Sequence, residues 1–391
     1  MYNPLQLVTL DTLYIGKDLS HTTLILLGAG SSTRFGTNVK KQWLYTGETP
    51  LWLHVVEHFE KCASFDDIII VSSSEEIATM QNFASYTYVE GGNSRQASLN
   101  NALQHITSDY VLVSDIARCC VPAEMIQRII SAKEKASCIV PVLPVTDTLY
   151  LDNQPIDREK VKIIQTPQLS RTKLLKLALQ TETLFTDDSS AVASLGEKIH
   201  FVEGSIKAHK LTTIEDLQKV TCLHVPSNRT LTGFGIDIHP FEAGKQMFLC
   251  GVPIDVDYGF KAHSDGDVAI HALIDALLGA AGMGDIGELY PDTEDTYAGA
   301  DSKVLLSDTV KRINAYGFSI GNIDITIMAE APKLLPYKNE MKHTLASLLG
   351  IRQNFVNIKA TTAEKLGFVG RKEGVTVHAV ANLTYFNWKK I

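Results

Sequence analysis

The sequence feature that most limits how this chain can fold is an apolar stretch at residues 267–281. A few polar side chains interrupt it. The stretch is apolar on almost every side of a helix, which predicts a helix buried inside the protein. Polar side chains follow one helix face at spacings of three, four and four residues: Ser264, Asp267, His271 and Asp275. A buried polar group costs free energy unless something satisfies it, so this face predicts a bound metal ion.

A second fragment supplies the other ligands that such an ion would need. Asp237 and His239 are two residues apart in the sequence GFGIDIHP, so an extended strand presents both on one face. With His271 they give one carboxylate and two imidazoles, a set that suits Zn²⁺ with one open position. The alternative is a satisfied core histidine and a turn aspartate. The Asp237–His239 pair and the row of polar residues on the helix together favour the metal site over this alternative.

Composition limits the classes of protein that fit. A chain of 391 residues has room for two or three domains, and a net charge of −8 argues against broad binding of nucleic acid or anionic membranes. Six cysteines without a C-x-x-C pair favour reduced thiols and a cytoplasmic location. No apolar run has transmembrane length, and residues 1–21 do not have the pattern of a secretion signal.

The first half begins with an apolar run, 23–27, that leads into the glycine-rich turn GAGSSTRFG at 28–36. Such a turn presents backbone N–H groups to phosphates. A dinucleotide fingerprint fits poorly, because Thr33 occupies its third glycine position. The cations Arg34 and Lys41 follow closely and suit a triphosphate.

Further strands at 67–71, 110–113 and 138–142 alternate with helical segments, which predicts a mostly parallel α/β sheet. Ligands bind beyond the carboxyl ends of such strands. Asp115 follows one of these ends and either holds Mg²⁺ on a nucleotide or caps a helix. The sequence EGGNSRQAS at 90–98 is a second glycine turn that opens a helix.

Proline and short polar residues at 225–229 indicate a linker. Beyond it, strands predicted at 323–329, 356–360 and 375–385 are more segregated from helices, as in an α+β domain.

Both halves resemble known families. Residues 22–224 resemble 2-C-methyl-D-erythritol 4-phosphate cytidylyltransferase through GAGSSTRFG with KKQ, EGGNSRQAS, SDIAR, TDT, IDR and KLT. Residues 232–391 resemble 2-C-methyl-D-erythritol 2,4-cyclodiphosphate synthase through GIDIHPF, AHSDGDVAIHAL, GDIGELYPDT, AEAPKLLP and KATTAEKLGFVGRKEG. The resemblance implies a Rossmann-like α/β nucleotidyltransferase domain at 1–226, with a short extension at 1–21. It also implies a linker at 227–231 and an α+β trimeric domain at 232–391.

The first half departs from its family at three places. Ser32 stands where the family has glycine, and Cys119 and Cys120 replace the usual Pro-Phe. An acidic residue that some members carry before the late lysine is absent, with Lys207 near that place.

The first resemblance implies transfer of CMP from CTP to methylerythritol phosphate, with release of pyrophosphate. The nucleophile is a phosphate monoester with a second pKa of about 6, so positioning and cationic stabilisation are the main tasks. Arg34 and Lys41 would stabilise the transition state, with Mg²⁺ or Mn²⁺ near Asp115. Arg158, from a partner subunit, and Lys210 would hold the incoming phosphate. The other matching contact positions are Gly28, Ala29, Gly30, Gly91, Gly92, Ser98, Arg118 and Thr148.

The second resemblance implies cyclisation of CDP-methylerythritol 2-phosphate with loss of CMP, an intramolecular reaction in which orientation matters. It assigns Zn²⁺ to Asp237, His239 and His271, and a second cation, Mg²⁺ or Mn²⁺, to Glu364. His263 and Thr362 would orient the reacting groups. Residues matching ribose, cytosine and other substrate contacts are Ser264, Asp285, Ile286, Gly287, Tyr290, Pro291, Asp292, Thr293, Glu294, Ala329, Ala331, Pro332, Lys333, Leu334, Leu335, Thr361, Ala363, Phe368 and Arg371.

The implied partners are these small substrates, with no nucleic acid and no membrane. The second family forms homotrimers with sites between subunits, and dimerisation by the first domain would extend a trimer to a hexamer. Two rival interpretations remain at this point. One is a nucleotidyltransferase for an activated sugar with an accessory C-terminal half. The other is a C-terminal half that only trimerises around zinc, although a structural zinc site normally has four protein ligands.

Overall fold

A computed structural model describes residues 21–30, 32–262, 264–291 and 299–391. The strands are β1 (Thr22–Leu27), β2 (Tyr45–Thr46), β3 (Thr49–Pro50), β4 (Asp67–Ser72), β5 (Thr87–Glu90), β6 (Tyr110–Asp115), β7 (Cys138–Pro144), β8 (Leu149–Leu151), β9 (Gln154–Ile156), β10 (Lys162–Ile164), β11 (Gln168–Arg171), β12 (Ile199–Glu203), β13 (Leu231–Ala243), β14 (Met247–Leu249), β15 (Val252–Ile254), β16 (Tyr258–Phe260), β17 (Phe318–Met328), β18 (Val356–Thr361) and β19 (Gly374–Tyr385). The helices are α1 (Leu51–Cys62), α2 (Ser74–Met80), α3 (Arg95–Leu103), α4 (Ala123–Ser131), α5 (Thr172–Ala178), α6 (Asp188–Ser194), α7 (Val268–Ala281), α8 (Ile286–Leu289), α9 (Ser302–Ala315), α10 (Lys338–Leu349) and α11 (Gly367–Gly370).

The described residues divide into two compact units. The first unit comprises 21–30 and Trp52–Cys222, and the second comprises Ser32–Leu51 and Leu223–Ile391. The early segment Ser32–Leu51 packs within the second unit through its aromatic residues. The ring centroid of Trp43 lies 4.6 Å from that of Tyr316. The indole Nε1 of Trp388 donates a 2.7 Å hydrogen bond to the Tyr45 carbonyl. The predicted domain limits at 226 and 232 stay a prediction.

The first unit is built on a sheet with the order β10-β7-β11-β6-β1-β4-β5, and β12 pairs with β7. The central strands β6, β1, β4 and β5 run parallel, as their apolar sequences predict. The strand β11 is antiparallel to both of its neighbours. The α/β prediction is confirmed. Parallel pairing brings the carboxyl ends of β1, β4, β5 and β6 to one edge of the sheet.

The second unit is built on a sheet with the order β16-β13-β19-β17-β18. Its pairs are antiparallel except for β17 and β18, which run parallel. The predicted buried helix is α7, whose residues are buried along most of its length. Helix α7 lies very close to β13, because a Cβ at Gly235 would come within 2.8 Å of the Ala276 nitrogen. Gly233 makes a similarly close approach to Ala276 and Ala280.

The cysteines differ from the expectation. Cys120 and Cys222 form a disulfide, so the prediction of reduced thiols throughout is wrong for this pair. Cys62, Cys119, Cys138 and Cys250 are free, as predicted, and all four are buried. Sequence spacing could not reveal the bond, because its two residues are 102 positions apart.

Among the described residues, no helix has both the length and the apolar character that crossing a membrane requires.

Candidate active sites

One face of strand β13 packs against helix α7. Alternation along the strand places Gly233, Gly235, Asp237 and His239 on this face. The two glycines let the helix approach, and the two ligand candidates continue the same row beyond them. The opposite face carries large apolar side chains that are about half exposed within one chain: Phe234 at 60%, Ile236 at 48% and Ile238 at 51%.

The predicted metal ligands come together in the second unit. Candidate donor atoms of Asp237, His239 and His271 all lie within 4.8 Å of one another. The Nδ1 atoms of both histidines are 3.2 Å from Oδ2 of Asp237. His271 lies in the first turn of α7 and faces β13. The glycines of β13 let the helix pack this close to the strand.

The far side of His271 is held by polar groups that fix its protonation. Its Nε2 lies 3.0 Å from Oγ of Ser302 and 3.3 Å from Oγ of Ser264. The Ser302 hydroxyl donates in turn to Asp265. Ser302 is therefore left to accept from a protonated Nε2, and the lone pair of the ring is on Nδ1. Supporting bonds of this kind orient metal-binding histidines.

This tautomer leaves acceptor atoms facing one another. The Nδ1 lone pair of His271 and the Asp237 carboxylate oxygen are both acceptors, 3.2 Å apart. The buried Nδ1 of His239, beside the same oxygen, has no hydrogen-bond partner. Acceptors this close need a shared proton or a metal cation between them, and one carboxylate with two imidazoles is a donor set that divalent zinc accepts. The residues present therefore fit the metal.

The pKa values of these groups reflect the same demand for positive charge. Burial alone would raise the pKa of Asp237, but the adjacent His239 and His271 lower it well below its ordinary range. Burial alone would lower the pKa of His271, yet the bond to Asp237 raises it above its ordinary value. A proton therefore competes with a metal for this position.

The remaining polar residues of the helix face have other partners. The Asp267 carboxylate accepts from the backbone N–H groups of Cys250, Gly251 and Ile270 at 2.9, 2.6 and 3.1 Å. The Asp275 carboxylate accepts from the Ile286 N–H at 2.8 Å. The idea that a metal satisfies the whole face is therefore wrong for these two carboxylates, which the backbone satisfies instead.

A cavity of about 330 Å³ opens beside the three ligands. It is lined by Asp237, His239, Lys261, Ala262, Ser264, His271, Asp275, Ile286, Gly287, Tyr290 and Leu305. Besides Asp237 and His239, five of these residues were predicted as contacts or ligands: Ser264, His271, Ile286, Gly287 and Tyr290. Asp285 caps α8 through a 2.9 Å bond from the Glu288 N–H, and Pro291 follows that helix. His263, Asp292, Thr293 and Glu294 lie outside the described residues.

The other predicted contacts of the second unit form a separate group where β17 and β18 end. The Glu330 carboxylate accepts from the N–H groups of Ala363 and Lys365 at 3.2 and 2.9 Å. The Thr362 hydroxyl donates to Glu364 at 2.6 Å. This group contains the remaining predicted positions: Ala329, Ala331, Pro332, Lys333, Leu334, Leu335, Thr361, Phe368 and Arg371.

Sheet register separates this group from the metal ligands within one chain. Asp237 pairs with Val377, Val377 with Ile327, and Ile327 with Ala360. Three strand spacings put the backbones of Asp237 and Ala360 about 14 Å apart. The cavity beside the ligands is lined by no residue of the group. One chain thus presents the predicted cyclase site as two halves.

In the first unit, the predicted phosphate-binding features converge on one sheet edge. Leu27 is level with Asp115, so the turn after β1 begins beside that carboxylate. A Cβ at Gly91 would collide with the Cβ of Ala29, which shows that the two glycine turns touch. The Gly92 N–H donates to Oγ of Ser98 at 3.0 Å. The alternative role of Asp115 as a helix cap is wrong, because the next helix begins at Ala123.

Asp115 is buried among cations. Lys210 Nζ donates to its Oδ2 at 2.9 Å, and Arg95 Nε lies 3.7 Å from its Oδ1. Burial alone would raise the pKa of Asp115, but Lys210 and Arg95 lower it below its ordinary value. Arg118 holds the Lys210 loop by donating to the Ala208 carbonyl at 2.6 Å. Arg95 also donates to the buried Asp188 at 2.7 Å.

The other predicted cations belong to different elements of the chain. Arg158 and Thr148 flank the exposed hairpin of β8 and β9, where Arg158 donates to the Thr146 carbonyl at 2.6 Å. Arg34 and Lys41 belong to the second compact unit, in short 3₁₀ turns at Thr33–Phe35 and Lys41–Trp43. Their roles in the reaction stay predictions.

Sequence reasoning missed several residues of both sites. Arg95 lies in the motif EGGNSRQAS, which was predicted to contact the nucleotide. Its position at the start of α3 was the signal that could have identified it as a site residue. Asp188 is 93 residues further along, and nothing local marks it. Ser302 and Asp265 were missed for the same reason, because their link to His271 exists only in the folded protein.

Comparison with known proteins assigns each half to a family. The family model described as 2-C-methyl-D-erythritol 4-phosphate cytidylyltransferase matches residues 22–223. The model described as the YgbB family matches residues 230–384.

Relatives of full length carry both halves. The "Bifunctional enzyme IspD/IspF" of Sulfurovum sp. (strain NBC37-1) is 74% identical over 94% of this chain and 99% of its own length. That of Sulfurimonas denitrificans is 55% identical over the whole of both chains. A solved structure, "Structure of the Bifunctional IspDF from Campylobacter jejuni", is 48% identical and covers 95% of this chain and 100% of its own. Its TM-score is 0.89.

Proposed function

We propose, for a chain that belongs to the bifunctional IspD/IspF family, which of its residues carry the two activities. The chain transfers CMP from CTP to 2-C-methyl-D-erythritol 4-phosphate and releases pyrophosphate. It also cyclises 4-CDP-2-C-methyl-D-erythritol 2-phosphate to the 2,4-cyclodiphosphate and releases CMP. These activities exclude both rival interpretations, in which the second half is an accessory or only a trimerisation module.

The cyclisation is proposed to depend on Zn²⁺ held by Asp237, His239 and His271. The observation that carries this proposal is the convergence of one carboxylate oxygen and two imidazole nitrogens within 4.8 Å, with the buried Nδ1 of His239 lacking a hydrogen-bond partner. When bound, the metal would supply a Lewis acid that polarises and positions one phosphate. Ser302 and Asp265 hold His271 in the tautomer that can bind it, and Ser264 and Lys261 line the space where the diphosphate would lie.

Zinc is tested by metal analysis of protein dialysed against a limiting chelator and then reloaded. We expect cyclisation to follow zinc content, with one ion per chain at this site, while cytidylyl transfer stays constant at saturating Mg²⁺. Equal cyclisation by the zinc-free and the zinc-loaded protein would contradict the assignment.

For cytidylyl transfer, we propose the sheet edge that holds Asp115 and the two glycine turns. The nucleophile and the triphosphate are both anionic, so the reaction needs fixed positive charge and a divalent cation more than a general base. Lys210 and Arg95 already lie against Asp115. A magnesium ion at Asp115 would therefore replace one of these contacts and free a cation for phosphate.

We further propose that the chain works as a homotrimer through the second unit, with each cyclase site shared by two chains. Two observations support this. The face of β13 with Phe234, Ile236 and Ile238 is too apolar to be left in water. Ala360, near the end of the strand that leads to Glu364, also lies about 14 Å from Asp237 along the sheet of its own chain, so a neighbour would complete the site.

Mixed oligomers test shared sites directly. His271→Ala and Glu364→Gln should each be inactive in cyclisation when pure. Unfolding and refolding the two together should restore activity, because some interfaces would then combine an intact His271 with an intact Glu364. No recovery, although mass spectrometry finds mixed trimers, would contradict shared sites. The same measurement would report a hexamer if the first unit also dimerises.

We place this chemistry in the cytoplasm, where CTP is available. Fractionation of the source cells would test this, and recovery of the protein outside the cytoplasmic fraction would contradict it.

A further inference from the structure

Three cysteines of the first unit bring their sulfur atoms together, although neither reaction has a use for them. The Sγ atoms of Cys119, Cys120 and Cys222 lie within 4.8 Å of one another. The sulfur atoms of the adjacent Cys119 and Cys120 are 3.9 Å apart, and Cys120 forms the disulfide with Cys222. Cys119 and Cys120 are also the residues that replace the usual Pro-Phe of the family after the Asp115 turn.

We propose that Cys119, Cys120 and Cys222, once the disulfide is reduced, form a site for one soft, thiophilic metal ion. The chemistry of the donors sets the class of ion. Three sulfur ligands favour Cu⁺, Zn²⁺ or Cd²⁺ over the hard cations Mg²⁺ and Ca²⁺. This site therefore differs in donors and in selectivity from the site of Asp237, His239 and His271.

The cysteine cluster is enclosed but has an opening. Cys119 and Cys120 are almost fully buried, and Cys222 is partly exposed, which gives an ion a route in. The remaining free cysteines are also buried, but none of them belongs to a metal-competent cluster among the described residues.

Metal binding and the disulfide exclude each other. Reduction breaks the sulfur–sulfur bond and adds two electrons and two protons, which a dithiol or a phosphine with water can supply. Binding then forms up to three metal–sulfur bonds and releases the thiol protons. Either link joins the segment after Asp115 to Cys222, the last residue of the first unit.

Cadmium is a suitable probe, because sulfur-to-cadmium charge transfer gives an ultraviolet absorption that carboxylate and imidazole ligands do not give. The full chain is reduced with a phosphine, freed of reductant without oxygen, and titrated with Cd²⁺. We expect the absorption to saturate at one sulfur-bound ion per chain, and to be absent from unreduced protein. Cadmium at the Asp/His/His site would bind without adding to this signal.

Serine variants assign the signal to its ligands. Cys119→Ser and Cys222→Ser should each lower the affinity by more than about 100-fold, because losing a ligand costs more than losing a supporting outer group. Cys138→Ser removes a buried thiol outside the cluster and should leave the signal unchanged. No charge-transfer absorption from the reduced wild type, or undiminished affinity in both cluster variants, would overturn the proposal.

Discussion

The two candidate sites differ in what neutralises their central carboxylate, Asp237 in one and Asp115 in the other. At Asp237 the chain places two histidine nitrogens 3.2 Å from one carboxylate oxygen, an arrangement that a divalent cation can bridge. At Asp115 the chain supplies the cations itself, through Lys210 and Arg95. On the proposed function, the first arrangement holds a resident metal ion. The second holds charge that can be rearranged when a metal nucleotide arrives.

This comparison predicts that the two activities can be removed independently. The largest effect is expected from His271→Ala, which deletes one of three metal ligands. Metal catalysis of this kind supplies several kcal/mol, so cyclisation should fall at least about 100-fold. Zinc content should fall with it, while cytidylyl transfer stays near the wild-type value. Steady-state assays of both reactions on one preparation measure this, and loss of both activities in a folded protein would break the comparison.

The reverse effect is expected at the sheet edge of the first unit. Lys210→Met removes the cation against Asp115, and cytidylyl transfer should fall about 100-fold because a positioned charge is lost. Cyclisation should be unchanged. Lys207→Met is the matched control, because that lysine is exposed in the same loop, and it should change neither rate more than about twofold. Equal losses in the two variants would show that general charge, and not this contact, matters.

The spacing between β13 and α7 can be tested with two glycines. Gly235→Ala places a methyl group against Ala272 and Ala276 of the helix and should destabilise the unit by about 1–3 kcal/mol. Zinc affinity should fall as His271 is displaced. Gly279→Ala lies on the exposed side of α7 with no atom near the added methyl group, and it should stabilise by about 0.5–1 kcal/mol. Denaturant unfolding compares them, and equal stabilities would count against the close contact.

The smallest effect is expected from the support of His271. Ser302→Ala removes the group that holds Nε2, and zinc affinity should fall about tenfold while the ligands remain. Ser307→Ala, on the same helix α9, removes a hydroxyl that bonds only to the Lys303 carbonyl among the described contacts. It should leave zinc affinity unchanged. Competition with a chromophoric chelator measures both, and unchanged affinity in Ser302→Ala would remove the tautomer argument.

Much of the metal site could be predicted because its signals are local. The two-residue spacing of Asp237 and His239 is the period of a strand, and His271 interrupts an otherwise apolar helix. The same pattern misled the interpretation of Asp267 and Asp275, because backbone N–H groups can satisfy a buried carboxylate as well as a metal can. Periodicity shows where a polar group lies but not what it contacts.

The features that were missed depend on contacts between distant residues. Asp188 reaches Arg95 across 93 positions, and the Cys120–Cys222 disulfide spans 102. The packing of Ser32–Leu51 into the second unit likewise depends on aromatic partners, Tyr316 and Trp388, near the other end of the chain. Such pairings depend on tertiary structure, and no local sequence pattern predicts them.

Zinc binding by Asp237, His239 and His271 is tested most directly by X-ray absorption on the disulfide-intact full chain with one equivalent of zinc. The intact disulfide keeps the cysteine cluster closed to metal, so only the other site can respond. We expect nitrogen and oxygen ligands only, two of them imidazoles, and we expect His271→Ala to lose one imidazole together with most of the affinity. Sulfur ligands, or an unchanged spectrum in that variant, would contradict it.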